Sequence, residues 1–123
     1  MTRALLIALA LAGCAAPPCR DGAPMTVIEL YFGRGGVSDA QWSAFLTEVV
    51  TPEFPDGLTS TDAVGQWRDP RSGRIGREPS SVLTIAVPSY DAAKIARIGE
   101  AYKRRFDQQS VGKLLSERCG SFD

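Results

Sequence analysis

The residues able to do chemistry are few, and the first fact about them is an absence: the chain has no histidine. That removes the commonest general base and metal ligand together. A Ser-His-Asp triad and a histidine-based metal site are both excluded. Ser110 would need a lysine such as Lys103 or Lys113 to become a nucleophile, and no spacing supports that pairing. The remaining candidates are small groups. Glu29, Tyr31 and Arg34 share one short segment, on its open side or at its end. Glu29 on a half-buried sheet face wants a cation, which Arg77 or another arginine of Arg68, Arg71 and Arg74 could supply. Such a group reads either as an acid, base or anchor or as a structural ion pair. Tyr31, Trp67 and Tyr102 read either as the lining of a ligand cleft or as core. Phe54-Pro55-Asp56-Gly57-Leu58-Thr59 is the most unusual segment. It reads either as a rigid loop presenting Asp56 to a ligand or as a turn, with Gly57 allowing positive φ and Asp56 bonding its own backbone. Gln108-Gln109-Ser110 could meet a ligand or satisfy helix-terminal carbonyls. No catalytic residue, metal site or cofactor is assigned from these groups.

The elements that position them follow from periodicity. Thr26 to Phe32 alternates, with Ile28, Leu30 and Phe32 on one face and Val27, Glu29 and Tyr31 on the other, which predicts a strand. Ser38 with Gln41 makes a capping box, and Val37 with Trp42 occupies hydrophobic-staple positions. Trp42, Phe45, Leu46 and Val49 then form a helical stripe that Pro52 and Pro55 are expected to end. Leu58 to Arg68 reads as a strand and Asp69 to Gly73 as a turn. Arg74 to Val87 is the return, with a bulge or edge position at Pro79. Ser89 or Asp91 caps a second helix whose stripe is Ile95, Ile98, Tyr102 and Phe106, with Lys103-Arg104-Arg105 at its C-terminal end. Val111 to Arg118 is a final strand. The order β-α-β-β-α-β is that of an α+β, ferredoxin-like fold, an antiparallel sheet with two helices on one face. Trp42, Phe45, Leu46, Ile95, Ile98 and Phe106 should share a core with Leu30 and Ile85. Val27, Tyr31, Val82 and Thr84 should lie on the free face, where a second copy or an envelope protein is expected to cover them.

The three cysteines add a compartment. Arg3 precedes an apolar stretch, Ala4 to Leu11, which is too short to span a bilayer and reads as a secretory signal. Leu11-Ala12-Gly13-Cys14 resembles the lipobox of bacterial lipoproteins. That resemblance implies cleavage before Cys14, acylation of Cys14 and anchoring in a membrane, facing the periplasm. The alternative is an ordinary signal peptide cut near Ala15 or Ala16. Ala15 after the cysteine, rather than Asp, favours the outer membrane by resemblance to Gram-negative sorting rules. Residues 1–13 are thus expected to be signal, 14–24 a lipidated, proline-rich tether, and 25–123 one domain. Cleavage removes Arg3 from a chain with 14 basic and 14 acidic residues. The near-neutral remainder argues against nucleic acid as a partner. Export leaves Cys19 and Cys119 in an oxidising compartment. In a β-α-β-β-α-β sheet the last strand lies antiparallel beside the first, so the two cysteines fall at one edge and a disulfide is expected. Two free thiols, or an intermolecular bridge through Cys19, are the alternative.

The chain also resembles a bacterial domain family of unknown function found in small exported proteins and lipoproteins. The residues that carry the resemblance are Glu29-Leu30-Tyr31-Phe32-Gly33-Arg34, Val37-Ser38 with Trp42 and Phe45, and Thr51-Pro52 with Phe54 to Thr59. Gly65-Gln66-Trp67, Arg77-Glu78, and Tyr102 with Phe106 and Gln108 to Val111 complete it. Gly112 departs from the bulkier strand residue expected there. The resemblance implies the fold and export, and no activity. The expected function is therefore a membrane-anchored envelope lipoprotein that binds a small molecule or a protein. Glu29, Tyr31, Arg34, Asp56, Trp67 and Arg77 are the candidate ligand contacts. The alternative is a small cofactor-free enzyme built as a ferredoxin-like dimer, using Glu29, Tyr31 or Arg34.

Overall fold

The computed structural model describes residues 17–122. The signal segment and Cys14 lie outside the described residues. Strand β1 (Ala23–Gly33) alternates as its residue types require: Ile28, Leu30 and Phe32 are buried, while Tyr31 is exposed. Ser38 caps α1 (Asp39–Phe45): its hydroxyl accepts from the Gln41 amide at 3.2 Å, and its own amide donates to the Gln41 side chain at 2.9 Å. This reciprocal capping box satisfies two donors that the helix start leaves orphaned.

Pro52 does not end the helix, which corrects the reading from sequence. The rod widens into a π turn over Leu46–Val50, and the one-turn α2 (Thr51–Glu53) continues it through Pro52. The Thr51 amide donates to the Leu46 carbonyl, five residues back. That longer register suits a residue lacking an N–H, because the wide turn moves the preceding carbonyls away from the pyrrolidine ring.

Strands β2 (Thr59–Arg68) and β3 (Ile75–Val87) form a hairpin in one unbroken register from Thr59↔Thr84 to Arg68↔Ile75. Its turn is set by Asp69, whose carboxylate accepts from the Arg71 amide at 2.7 Å and the Ser72 amide at 3.2 Å. Those two bonds hold the Asp69 carboxyl below its ordinary range. There is no bulge at Pro79, contrary to one of the two expected alternatives. β1 ends at the Gly33↔Ser80 pair, and the Pro79 carbonyl accepts from the Arg34 amide at 2.7 Å. The nitrogen without a hydrogen therefore faces the side where the ladder has already ended.

Asp91 rather than Ser89 caps α3 (Ala92–Phe106), accepting from the Ala93 and Lys94 amides at 2.9 and 3.3 Å. Asp107 follows in the left-handed region at φ 53° and turns the chain back towards β4 (Gly112–Gly120). The sheet order is β2-β3-β1-β4 with every pairing antiparallel, the ferredoxin-like α+β arrangement.

Gly112 stands opposite Tyr31, and a Cβ there would come within 3.1 Å of the Tyr31 Cβ. The absent side chain leaves room beside Tyr31 on the free face. Cys19 and Cys119 are joined by a disulfide with a Cα separation of 5.6 Å, beside the Pro24↔Cys119 pair.

The core lies between the helices and one sheet face. Trp42, Phe45, Ile95, Ile98, Leu30 and Ile85 are buried in it, with Leu46 and Phe106 half-buried at its margin. Its Gly33 end is aromatic: Phe32, Trp42, Phe45 and Tyr102 lie within 6.1 Å of one another, edge to face or tilted except for Trp42 and Phe45, which stack. The Tyr102 hydroxyl donates to the Gly33 carbonyl at 2.6 Å. Burial pushes its phenol up to about 12.

Candidate functional site

Alternation and register decide which candidates can meet. Continuing β1 past Phe32 puts Arg34 on the helix side, and there it is only 6% exposed. Its guanidinium pairs with Asp39, donates to the Ser81 hydroxyl at 3.2 Å, reaches Asp62 at 3.4 Å and lies 5.6 Å from the Trp42 ring centre. Arg34 thereby braces the ends of β1, α1 and β2 against one another. Glu29 and Tyr31 project from the other face, opposite Thr84 and Val82. The three do not share a site. Arg77 is also on the helix side, where it donates to the Gln66 side chain at 2.5 Å and offers Glu29 nothing. Tyr102 belongs to the core and not to a cleft with Tyr31 and Trp67.

Tyr31 and Trp67 do line one cleft, of about 670 Å³, on the free face. Its floor is made of glycine. Trp67 lies across Gly76 of the facing strand, where a Cβ would sit 2.6 Å from the indole. Between the two aromatics stands Glu78. Its carboxylate lies against Gly33 and Gly35, and a Cβ on Gly33 would be 2.5 Å from one oxygen. Asp107, Gln108, Gln109 and Ser110 form the wall opposite the hairpin, brought there by the left-handed turn that ends α3. Among the described residues Glu78 makes no ion pair. Ser110 gains no lysine: Lys103 pairs with Glu100 at 2.6 Å and Lys113 donates to the Tyr90 hydroxyl at 3.3 Å.

A second cleft, of about 800 Å³, opens at the other end of the sheet. Phe54, Leu58, Val87, Met25 and Phe122 give it an apolar lining. Phe54 to Gly57 is a turn, closed by the Gly57 amide on the Phe54 carbonyl at 3.3 Å with Gly57 at φ 136°. Asp56 is exposed at this rim and makes no hydrogen bond to its own backbone among the described residues, unlike the expected Asx turn. The other charges here are partnered within the fold. Glu53 receives two bonds from Arg97, at 2.7 and 2.8 Å, which hold its carboxyl below the usual range. Lys94 donates to the Glu53 carbonyl at 3.0 Å and lies 5.5 Å from the Phe54 ring centre.

Reasoning from the sequence missed Glu78 and the glycines beneath it. The signal was present: Gly65-x-Trp67 and Gly76-x-Glu78 face each other across the Asp69 turn, so each large side chain lies over a glycine. Among the described residues no group of three acidic or cysteine side chains could hold a metal ion.

The fold is similar to that of a phage SAM lyase in complex with S-methyl-5'-thioadenosine. The TM-score is 0.54 at 14% identity, over 85% of this chain and 97% of that one. No curated protein matches the sequence. Residues 28–122 match the family described as "Protein of unknown function (DUF3574)". The free-face cleft gathers five segments of that matched stretch, and the chain belongs to the DUF3574 family.

Proposed function

We propose that this is an envelope lipoprotein whose domain binds a small organic molecule in the free-face cleft. The observation that carries the reading is the cleft itself. Two half-exposed aromatics, a carboxylate without a partner and a wall of amides converge over glycines from segments far apart in sequence. Concave sites with a few convergent polar groups are where small ligands bind. The Leu11-Ala12-Gly13-Cys14 motif supports cleavage before Cys14 and lipid on Cys14, with residues 14–24 tethering a domain of residues 25–123 to the periplasmic face of a membrane, the outer one in a Gram-negative cell. Exposed Tyr31 and Leu114 on the free face support its use as a contact surface by a second copy or an envelope protein.

A second reading is favoured by Glu78. An uncompensated carboxylate in a cleft is what a cofactor-free enzyme would use as a general base. S-methyl-5'-thioadenosine, the molecule held by the structurally similar lyase, is then the first compound to try.

Two measurements test the pair of claims. Cys14→Ser should abolish labelling by a fatty-acid analogue; equal label in both forms sinks the anchor. Native mass spectrometry of the protein incubated with envelope extract should show a small-molecule adduct that Trp67→Ala loses. An adduct unaffected by Trp67→Ala would move the site elsewhere, and no adduct at all would overturn the binding reading.

A further inference from the structure

We infer that the free-face cleft selects a small organic cation carrying a planar ring. This rests on the small-molecule reading above and gives it a chemical class. The cleft lining contains two carboxylates, Glu78 and Asp107, and no lysine or arginine. Several cations close to the lining in sequence are committed elsewhere: Arg77 projects from the other sheet face onto Gln66, Arg34 pairs with Asp39, Arg105 with Glu48 and Lys103 with Glu100. A half-buried carboxylate without a counter-ion carries a desolvation cost that a bound cation would offset. An anion would meet the opposite, being repelled by both acidic groups.

Tyr31 is 41% and Trp67 49% exposed, so both leave ring surface open at the cleft. Aromatic faces attract cations and stack with planar rings. Along the strands the pairs run from Tyr31↔Val82 through Gly33↔Ser80 and Gly65↔Glu78 to Trp67↔Gly76. At the rise of a β-strand these three steps separate the two aromatics by roughly 20 Å along the sheet, with Glu78 between them. The trough is therefore elongated, with an aromatic at each end and the negative charge in the middle. A ligand with its ring on one aromatic and its cationic group against Glu78 satisfies both features. Gln108, Gln109 and Ser110 are left to hydrogen-bond its polar substituents.

The glycines let both groups lie low on the sheet: Gly33 and Gly35 make room for the Glu78 carboxylate and Gly76 for the Trp67 ring, so a ligand would lie over them. The bonds involved are non-covalent throughout, so no further reactant is needed.

The test uses the full chain in a non-ionic detergent and follows tryptophan fluorescence, since Trp67 is exposed and Trp42 is 5% exposed. The probes are benzyltrimethylammonium, benzyl alcohol and benzoate, which share a ring and differ in charge. The cation should bind at least tenfold more tightly than the alcohol, and benzoate should not bind. Trp67→Phe should abolish the signal. Glu78→Gln should raise the Kd for the cation at least tenfold and level it with the alcohol, while melting like the parent protein. If all three probes bind alike, or Glu78→Gln leaves the Kd unchanged, the cation class is overturned and the small-molecule reading survives. If none binds, the cation class falls, and the extract experiment judges the binding reading separately.

Discussion

The two clefts at opposite ends of the sheet differ in how their charges are used. The larger one, beside Phe54 and Phe122, is apolar, and its ionic groups other than the exposed Asp56 are occupied by the fold: Glu53 by Arg97, Lys94 by a carbonyl and the Phe54 ring, Asp91 by the start of α3. The smaller one, between Tyr31 and Trp67, holds a carboxylate with no such occupation. Volume and apolarity alone would point to the first. The better guide is an ionic group that the structure has placed but not satisfied, because a buried or half-buried charge without a partner is costly and persists where something outside the fold compensates it.

The largest effect expected on this comparison comes from the staple at the apolar end. Reducing Cys19–Cys119, whose cysteines are 100 positions apart, should cost roughly 2–5 kcal/mol of stability. Hydrogen exchange should then rise first at residues 19–25 and 119–122, and last around Gly33 and Glu78. Exchange that rises equally at both ends would show one cooperative unit and blur the distinction. The next effect belongs to the polar end, through Tyr102 beneath Gly33. Its phenol titrates at about 12 in the fold against an ordinary 10.0. Both states are protonated below pH 10, so the contribution is complete there. Between pH 10 and 12 the unfolded chain loses the proton first and stability falls, by roughly 3 kcal/mol at about 1.4 kcal/mol per unit. Urea midpoints for the parent and Tyr102→Phe check this. The parent should lose more stability than the variant across that window, and parallel curves would remove Tyr102 as the alkaline weak point.

The fold was legible in the sequence to the extent that single elements announce themselves. Alternation over Ile28, Leu30 and Phe32, the Ser38–Gln41 box and the Ile95–Ile98–Tyr102 stripe each describe a local structure that the tertiary fold keeps. The continuation of the helix through Pro52 was not legible, because no propensity marks a π turn such as the one that puts the Thr51 amide on the Leu46 carbonyl. From sequence, Arg34 reads as on the open side of the first strand or at its end; it lies at the end, and the parity that buries Leu30 and Phe32 buries position 34 as well. Of the site, Tyr31 and Trp67 could be named from the chain as aromatics of a cleft. Glu78 could not, because its isolation depends on where Arg77 and Gly33 end up, and register across two strand pairs determines that.

The smallest expected change in stability is the sharpest test of the comparison. Glu78→Gln keeps the shape of the side chain and removes its charge. In the apolar cleft the analogous change, Glu53→Gln, weakens two bonds from Arg97 and should leave the protein measurably less stable. In the polar cleft there is no pair to lose. The glycine contacts of the Glu78 carboxylate are steric, so an amide of the same size can occupy the same place. Removing an uncompensated charge from a half-buried position also lifts a desolvation cost. The two effects lead to a stability change within about 0.5 kcal/mol of zero, or slightly favourable, as for substitutions that touch no packed or paired feature. Urea denaturation of the two variants side by side reads this directly. A loss of 1 kcal/mol or more for Glu78→Gln (a difference on the scale of a real ionic or hydrogen-bonded contact) would mean that Glu78 is satisfied within the fold after all, and the contrast between an occupied and an unoccupied cleft would disappear with it.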